Sequence, residues 1–279
     1  MRAPLPPLLL AVGLIAVALA TAQPLIVAAA FAGALLLHRS APPPRRLMLR
    51  VALASALFVA AINPFVAVEG DHVLIAGPHL VLLDLEVTSE ELLYGLVAGM
   101  RIATAILATS AFLRLADPDR TQALASRVAP RSALTVALSA RLAPALRRDA
   151  AGLRDALRLR GQAPQAGRRA ALHQSSQLVV PLVAASLERG VDISEAMVAR
   201  GYGAGPMTRL PEAPLTVPER VATAAGAIAC VAAVVLIAGA APYDVYPVAG
   251  PLISMSALVI AAATAAAAAI GGLALRSRA

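Results

Sequence analysis

The run from Leu5 to Leu37 restricts this chain more than any other feature, because it is almost wholly apolar and too long for one upright membrane span. About 20 apolar residues cross the hydrocarbon core of a bilayer. Gln23-Pro24 interrupts the run near its middle, so it predicts two short helices, roughly 5–22 and 24–38, joined by a tight turn. A cleaved signal peptide is the competing reading, but the run has no clear polar cleavage region and continues straight into a second apolar segment. Four more apolar runs come after it, at about 48–68 (with Asn63-Pro64, where the proline would kink or end the helix), 91–114, 220–241 and 248–275. Pro242 to Pro247 turns between the last two. The expectation is an all-α integral membrane protein of about six transmembrane helices. Its regions are residues 1–115, an Arg-rich insert at 116–219 that contains amphipathic helices, and residues 220–279.

Composition agrees. Apolar residues make up 59% of the 279 residues and charged ones only 14%, against about 45–50% and about 25% in soluble domains. The mean hydropathy is +0.76. There is no Trp and little Phe or Tyr, so the aromatic belts of many membrane proteins are weak here.

All 24 basic residues are Arg. A P-loop needs a Lys to reach the β- and γ-phosphates, so the chain is not itself a Walker-type ATPase, and Schiff-base chemistry through Lys is excluded too. The one cysteine, Cys230, lies in an apolar run and reads as a small buried hydrophobe. His38, His72, His79 and His173 are scattered. His72 and His79 are close enough for a metal site to be conceivable, but no Cys or third His lies near them, and an ordinary exposed loop is the plainer reading. No metal site is expected.

Charge orients the spans. Arg39, Arg45, Arg46 and Arg50 cluster after the second run, whereas residues 69–91 carry Glu69, Asp71, Asp84, Glu86, Glu90 and Glu91 and no Arg. Cytoplasmic loops are enriched in Arg and Lys. Six crossings then place both termini, the Arg-rich loop and the insert on the cytoplasmic side of a bacterial cell membrane.

Within the insert, Asp117-Pro118 offers an N-cap oxygen followed by proline at the first helical position. Pro130 and Pro144 divide the chain beyond it. Leu146, Leu153 and Leu157 fall on one face, and Arg147, Arg154 and Arg158 on others, as in a helix lying at a membrane or protein surface. Attraction of Arg to anionic lipid headgroups would contribute. It does not explain a repeat: Asp155-Ala-Leu-Arg-Leu-Arg160-Gly161 matches Glu195-Ala-Met-Val-Ala-Arg200-Gly201, 40 residues apart. Each reads as a helix end, with glycine in the left-handed C′ conformation and Arg in the last turn against the negative end of the helix dipole. Two ordinary helix ends that happen to look alike is the bland alternative. The functional reading is two ends that each present a guanidinium, whose planar fork pairs bidentately with carboxylates, to one of two equivalent grooves.

These residues resemble the T component of energy-coupling factor (ECF) transporters, the EcfT/CbiQ family. The resemblance runs through Ile62-Asn63-Pro64-Phe65, Thr88 to Leu96 with Tyr94-Gly95, Met100-Arg101, Leu142-Ala-Pro144 and the first Arg motif. It continues through Val180 to Arg189 and on to Glu195-Ala-Met-Val-Ala-Arg200-Gly201-Tyr202-Gly203, so residues 60–210 take part. The first motif reads Leu-Arg-Gly where Ala-Arg-Gly is common in the family. The resemblance implies a coupling subunit between two cytoplasmic ABC ATPases and a small membrane S component that captures a vitamin or a transition-metal ion. Leu159, Arg160 and Gly161, with Ala199, Arg200 and Gly201, would dock on the ATPases, supported by Asp155, Glu195 and Tyr202. ATP would be bound by the partners, and this chain would carry no cofactor, no catalytic residue and no nucleic-acid partner. The two C-terminal runs depart from members that have one.

Arg101 falls inside the fourth span, where a charge is costly and is usually paired or functional. The resemblance favours a structural partner inside the bundle. Gly95 and Gly99 form a small-xxx-small pair suited to close helix packing, although an S-component interface is also open to them. Gly201 to Gly205 superficially suggests a phosphate loop, but no strand precedes it. Two competing classes remain. An intramembrane enzyme should carry polar catalytic groups in its spans, and these carry almost none. A lipid-binding anchor or scaffold would make Arg160 and Arg200 no more important than Arg147 or Arg168.

Overall fold

The computed structural model describes residues 3–43, 46–63, 73–75, 79–80, 83–84, 87–161, 176, 178–205, 214–243 and 253–276. These form nine helices: α1 (Leu5–Ala20), α2 (Pro24–Ser40), α3 (Arg46–Ile62), α4 (Ser89–Leu115), α5 (Pro118–Val128), α6 (Pro130–Leu159), α7 (Val179–Ala199), α8 (Val217–Ile237) and α9 (Met255–Arg276). Four short strands lie between α3 and α4: β1 (Val73–Ile75), β2 (His79–Leu80), β3 (Leu83–Asp84) and β4 (Val87–Thr88). Two compact units result, residues 1–121 with 214–279, and residues 122–213.

The first unit is a helical bundle. A bilayer core offers no water to the backbone, so a spanning segment must satisfy its own hydrogen bonds, as a helix does. Helices α4, α8 and α9 are long and apolar enough to cross a membrane. Helices α1 and α2 are apolar but shorter, 16 and 17 residues, or about 24–26 Å at 1.5 Å per residue. Thr21 to Gln23 break the first apolar run as the sequence predicts, with Pro24 opening α2. Large apolar side chains face outward, Leu57, Phe58, Leu113 and Ile237 being 65–74% exposed. A water-facing surface would not tolerate this density, whereas lipid does.

Lipid tails are as apolar as leucine, so such helices associate through close packing of small residues rather than through burial from water. Helix α1 packs on α8 and α2 on α9. A Cβ on Gly13 would sit 2.7 Å from the Ala229 Cβ, and one on Gly226 2.7 Å from the Leu9 Cβ. The buried core is correspondingly rich in alanine, with Ala11, Ala34, Ala108, Ala222, Ala225 and Ala268 around Leu10, Leu14 and Leu107. Cys230 belongs to this contact, half-buried, its Sγ 3.8 Å from the Leu9 carbonyl oxygen.

Two sequence expectations need correction, and one is tested only in part. The third span, expected over about 48–68 with a kink or end at Pro64, is helical from Arg46 through Ile62. There the side chain of Asn63 donates to the Glu91 carbonyl of α4 (3.3 Å), and residues 64–72 lie outside the described residues. The segment between α3 and α4, read as an exposed loop around His72 and His79, contains two antiparallel pairings, β1 with β4 and β2 with β3, in a stretch that includes Val73, Ile75, Val87 and Thr88, residue types that favour extended backbone. A Thr88–Glu91 capping box then starts α4. Lastly, Pro144 does not divide the insert. It lies inside the continuous 30-residue α6. The hydrogen bond it removes frees the Ala140 carbonyl, at an exposed position where water can take it, and strong helix formers surround it.

His38, set aside in the sequence as one of four scattered histidines, is buried at the end of α2. Its Nδ1 lies 3.0 Å from Ser110 Oγ and 2.7 Å from Arg114 Nη2. A guanidinium only donates, so Nδ1 accepts, and the ring ties α2 to α4. Cys and His place no metal cluster among the described residues. His72 lies outside them.

Helices α3 and α4 meet at Gly95 and Gly99. A Cβ on Gly99 would lie 2.5 Å from the Ala56 carbonyl oxygen, and one on Gly95 3.0 Å from the Ala60 carbonyl oxygen. Backbone cannot retreat as a flexible side chain can. Gly99→Val is therefore expected to cost about 1–3 kcal/mol, the usual range for overpacking, and to lower the melting temperature in mild detergent. Gly152→Ala, where a Cβ meets nothing within 4 Å, should be neutral or stabilising by about 0.5–1 kcal/mol through helix propensity. Equal behaviour of the two variants in a thermal melt would refute this packing account.

Candidate functional site

The insert forms the second unit, in which α6 and α7 pack together. Helix α6 begins with Pro130 at its first turn. The short α5 precedes it, capped by Asp117, whose Oδ1 accepts from the Asp119 N–H at 3.1 Å. On α6, Leu146, Leu153 and Leu157 are half-buried and Arg147, Arg154 and Arg158 exposed, the amphipathic division the spacing predicts.

The two Arg motifs are helix ends of matching geometry. Arg160 is the C-cap of α6 (φ −80°, ψ 9°) and Arg200 the C-cap of α7 (φ −86°, ψ 6°). Each donates its backbone N–H to the residue four back, Ala156 and Ala196, at 3.2 Å in both cases. Gly161 and Gly201 follow with φ of +83° and +80°. Their N–H groups reach back to the Arg158 and Val198 carbonyls at 3.0 and 2.9 Å. That left-handed conformation costs a residue with a Cβ about 1–2 kcal/mol, which is the physical reason for glycine at both places. At the second end the Tyr202 N–H also bonds the Met197 carbonyl (2.9 Å), completing a Schellman motif.

Both guanidinium groups are exposed, and neither makes a hydrogen bond or ion pair among the described residues. Each stands beside the carbonyl-rich, negative end of its helix and keeps its five N–H donors available. Leu159 is 90% exposed, Ala199 is exposed, and Tyr202 is 45% exposed. Such an end can offer a carboxylate-bearing groove a planar cation beside an apolar contact. Of the two supporting acids, Asp155 pairs with Arg158 at 3.1 Å rather than with Arg160, both side chains being well exposed, and Glu195 is exposed. Gly201 and Gly203 (φ +85°) lie in a turn after α7, the helix exit expected in place of a phosphate loop.

Arg101, on α4 in the first unit, donates from Nη2 to the Thr21 carbonyl (2.6 Å). That carbonyl is just past the end of α1, so the cation meets a helix C-terminus and a freed backbone acceptor together. Its Nε is buried without a partner among the described residues. Sequence reasoning had no way to name Thr21, because the contact spans 80 residues. It also missed the ion pair between Asp149 and Arg189, 2.9 Å apart. The signal was present: the two positions are separated by the same 40 residues as the Arg motifs.

Comparison with known proteins adds the family. No curated protein matches the chain. The family described as "CbiQ: Cobalt transport protein" matches residues 5–210, which takes in α1 through α7 and extends well upstream of the motifs that carry the resemblance. Helices α8 and α9 lie beyond the match, yet pack on α1 and α2 within it. With its apolar helical bundle, its Arg-ended insert helices and this match over most of its length, the chain belongs to the CbiQ cobalt transport protein family and is a membrane component of transport rather than a member of a known enzyme family.

Proposed function

We propose that this chain is the transmembrane coupling subunit of an ECF-type ABC importer. It transmits ATP-driven motion of two cytoplasmic ATPases to a small substrate-capturing S component, for uptake of a transition-metal ion or a vitamin. The observation that carries the reading is the pair of matched helix ends, Arg160-Gly161 and Arg200-Gly201, with the same cap geometry and exposed guanidinium groups. Two equivalent ends suit two equivalent grooves, as a dimer of ATPases offers. The family match supports the transport setting. In this reading the insert and both termini face the cytoplasm, the bundle sits in the inner membrane, and ATP is bound only by the partners. The bilayer itself contacts the Arg-rich faces, and no nucleic acid takes part.

Truncating one member of a desolvated charge pair at an interface costs about 2–5 kcal/mol. The double variant Arg160→Ala/Arg200→Ala should therefore lose ATPase co-purification while reaching the membrane at normal yield. Arg147→Ala/Arg154→Ala, at exposed positions on α6, should retain it. Equal loss in the two variants would favour a lipid-binding anchor, and full retention in the first would remove the docking role.

The caps should matter as well as the charges. Gly161→Ala/Gly201→Ala leaves both guanidinium groups in place but disfavours the left-handed turn by about 1–2 kcal/mol at each end. Capture of ATPases in mild detergent should fall about 5- to 30-fold per end. Unchanged capture would mean that the Arg side chains act without the helix-end geometry.

A further inference from the structure

The repeat is longer in space than the seven-residue motif that announces it. From 141 to 149 and again from 151 to 161, every position of α6 and its cap is half-buried or exposed just as the position 40 residues on in α7 and its cap. The half-buried positions fall at 142, 145, 146, 149, 153 and 157, and recur at 182, 185, 186, 189, 193 and 197. Those spacings are one helical stripe. The two stripes are joined at corresponding places, because Asp149 and Arg189 occupy the same position in the repeat and pair at 2.9 Å.

A contact between corresponding positions is what a local two-fold relation between two helices produces. Each residue near the axis then meets its own counterpart. Identical residues there would set like charges against each other, and Asp opposite Arg turns repulsion into attraction. The pair is not an idle surface bridge. Each side chain is only about one-third exposed (34% and 35%), and Arg189 Nη1 is buried without a partner among the described residues. Removing Asp149 would leave a partly desolvated cation without its counter-charge, the costly way to break such a pair. Asp149 and Arg189 each precede the Arg of their own helix end by 11 residues, or about 16 Å along the axis at 1.5 Å per residue.

We infer that Asp149 and Arg189 are positioning residues: a clasp that fixes where α6 crosses α7, at equal distance from Arg160 and Arg200, and so sets how far apart the two helix ends are held. The clasp's use in transport rests on the coupling reading above, whereas its existence does not. Single reversal, Asp149→Arg or Arg189→Asp, puts like charges at the crossing. The double reversal restores an opposite pair at near-equivalent positions, so the geometry should accept it.

The test is the distance between spin labels at Leu159→Cys and Ala199→Cys, in the full chain carrying Cys230→Ala, in lipid nanodiscs without any ATPase. The unreversed chain should give one narrow distance distribution. Each single reversal should shift and broaden it, and the double reversal should bring the narrow distribution back. An unchanged distribution in the single variants overturns the clasp, as does a double variant as perturbed as the worse single. Should the single variants fail to accumulate in the membrane, recovery of yield and distance by the double variant supports the clasp, and failure of both overturns it. The measurement needs no partner, so its failure is distinguishable from failure of the coupling reading, which ATPase capture by the unaltered chain decides separately.

Discussion

Backbone-to-backbone approach at small residues is the constraint on which the membrane bundle depends. In lipid, leucine against leucine gains nothing over leucine against an acyl chain, so helices stay together only where they come close enough for dense van der Waals contact. Gly13 and Gly226 give α1 and α8 that approach, and Gly99 gives it to α4 against the Ala56 carbonyl. The few polar groups inside the bundle obey the same logic. Arg101 takes a carbonyl that the end of α1 leaves free, and His38 accepts from Arg114 beside Ser110. Each uses its hydrogen-bonding capacity to join two helices.

The insert obeys different rules. Helices α6 and α7 each carry a half-buried stripe, the exposed side of α6 is studded with Arg, and both helices end in the same cap. Matching φ values at Gly161 and Gly201, and matching hydrogen bonds from Arg160 and Arg200, make the two ends near-copies despite different neighbouring residues. The cross-helix bond between Asp149 and Arg189 joins corresponding points of the two helices. A pair of equal helix ends held at a set spacing is a shape suited to engaging a two-fold partner.

Much of this was legible in the sequence, and for identifiable reasons. Apolar runs bounded by Gln23-Pro24 and by Asn63-Pro64 placed the helices because period and punctuation are local signals. The Arg-Gly helix ends were legible because a glycine after a terminal Arg has a distinct conformational meaning. Pro144 misled, since strong helix formers on both sides carry α6 through it at an exposed position, against the usual cost of an interior proline. The short β pairings between residues 73 and 88 were missed because two-residue strands leave almost no periodicity to read. Long-range contacts such as Arg101 to Thr21 leave no local trace at all. The Asp149–Arg189 pair left one, in its 40-residue offset, and only the structure extended the repeat far enough to reveal it.

The central claim is that two equal helix ends engage two ATPase subunits. Its most direct test is extraction of the tagged chain from its native membranes in mild detergent, with the mass of the intact assembly measured. The account predicts one copy of this chain with two ATPase subunits and one small apolar membrane protein. Recovery of the chain alone, under conditions that leave other transporters assembled, would contradict it.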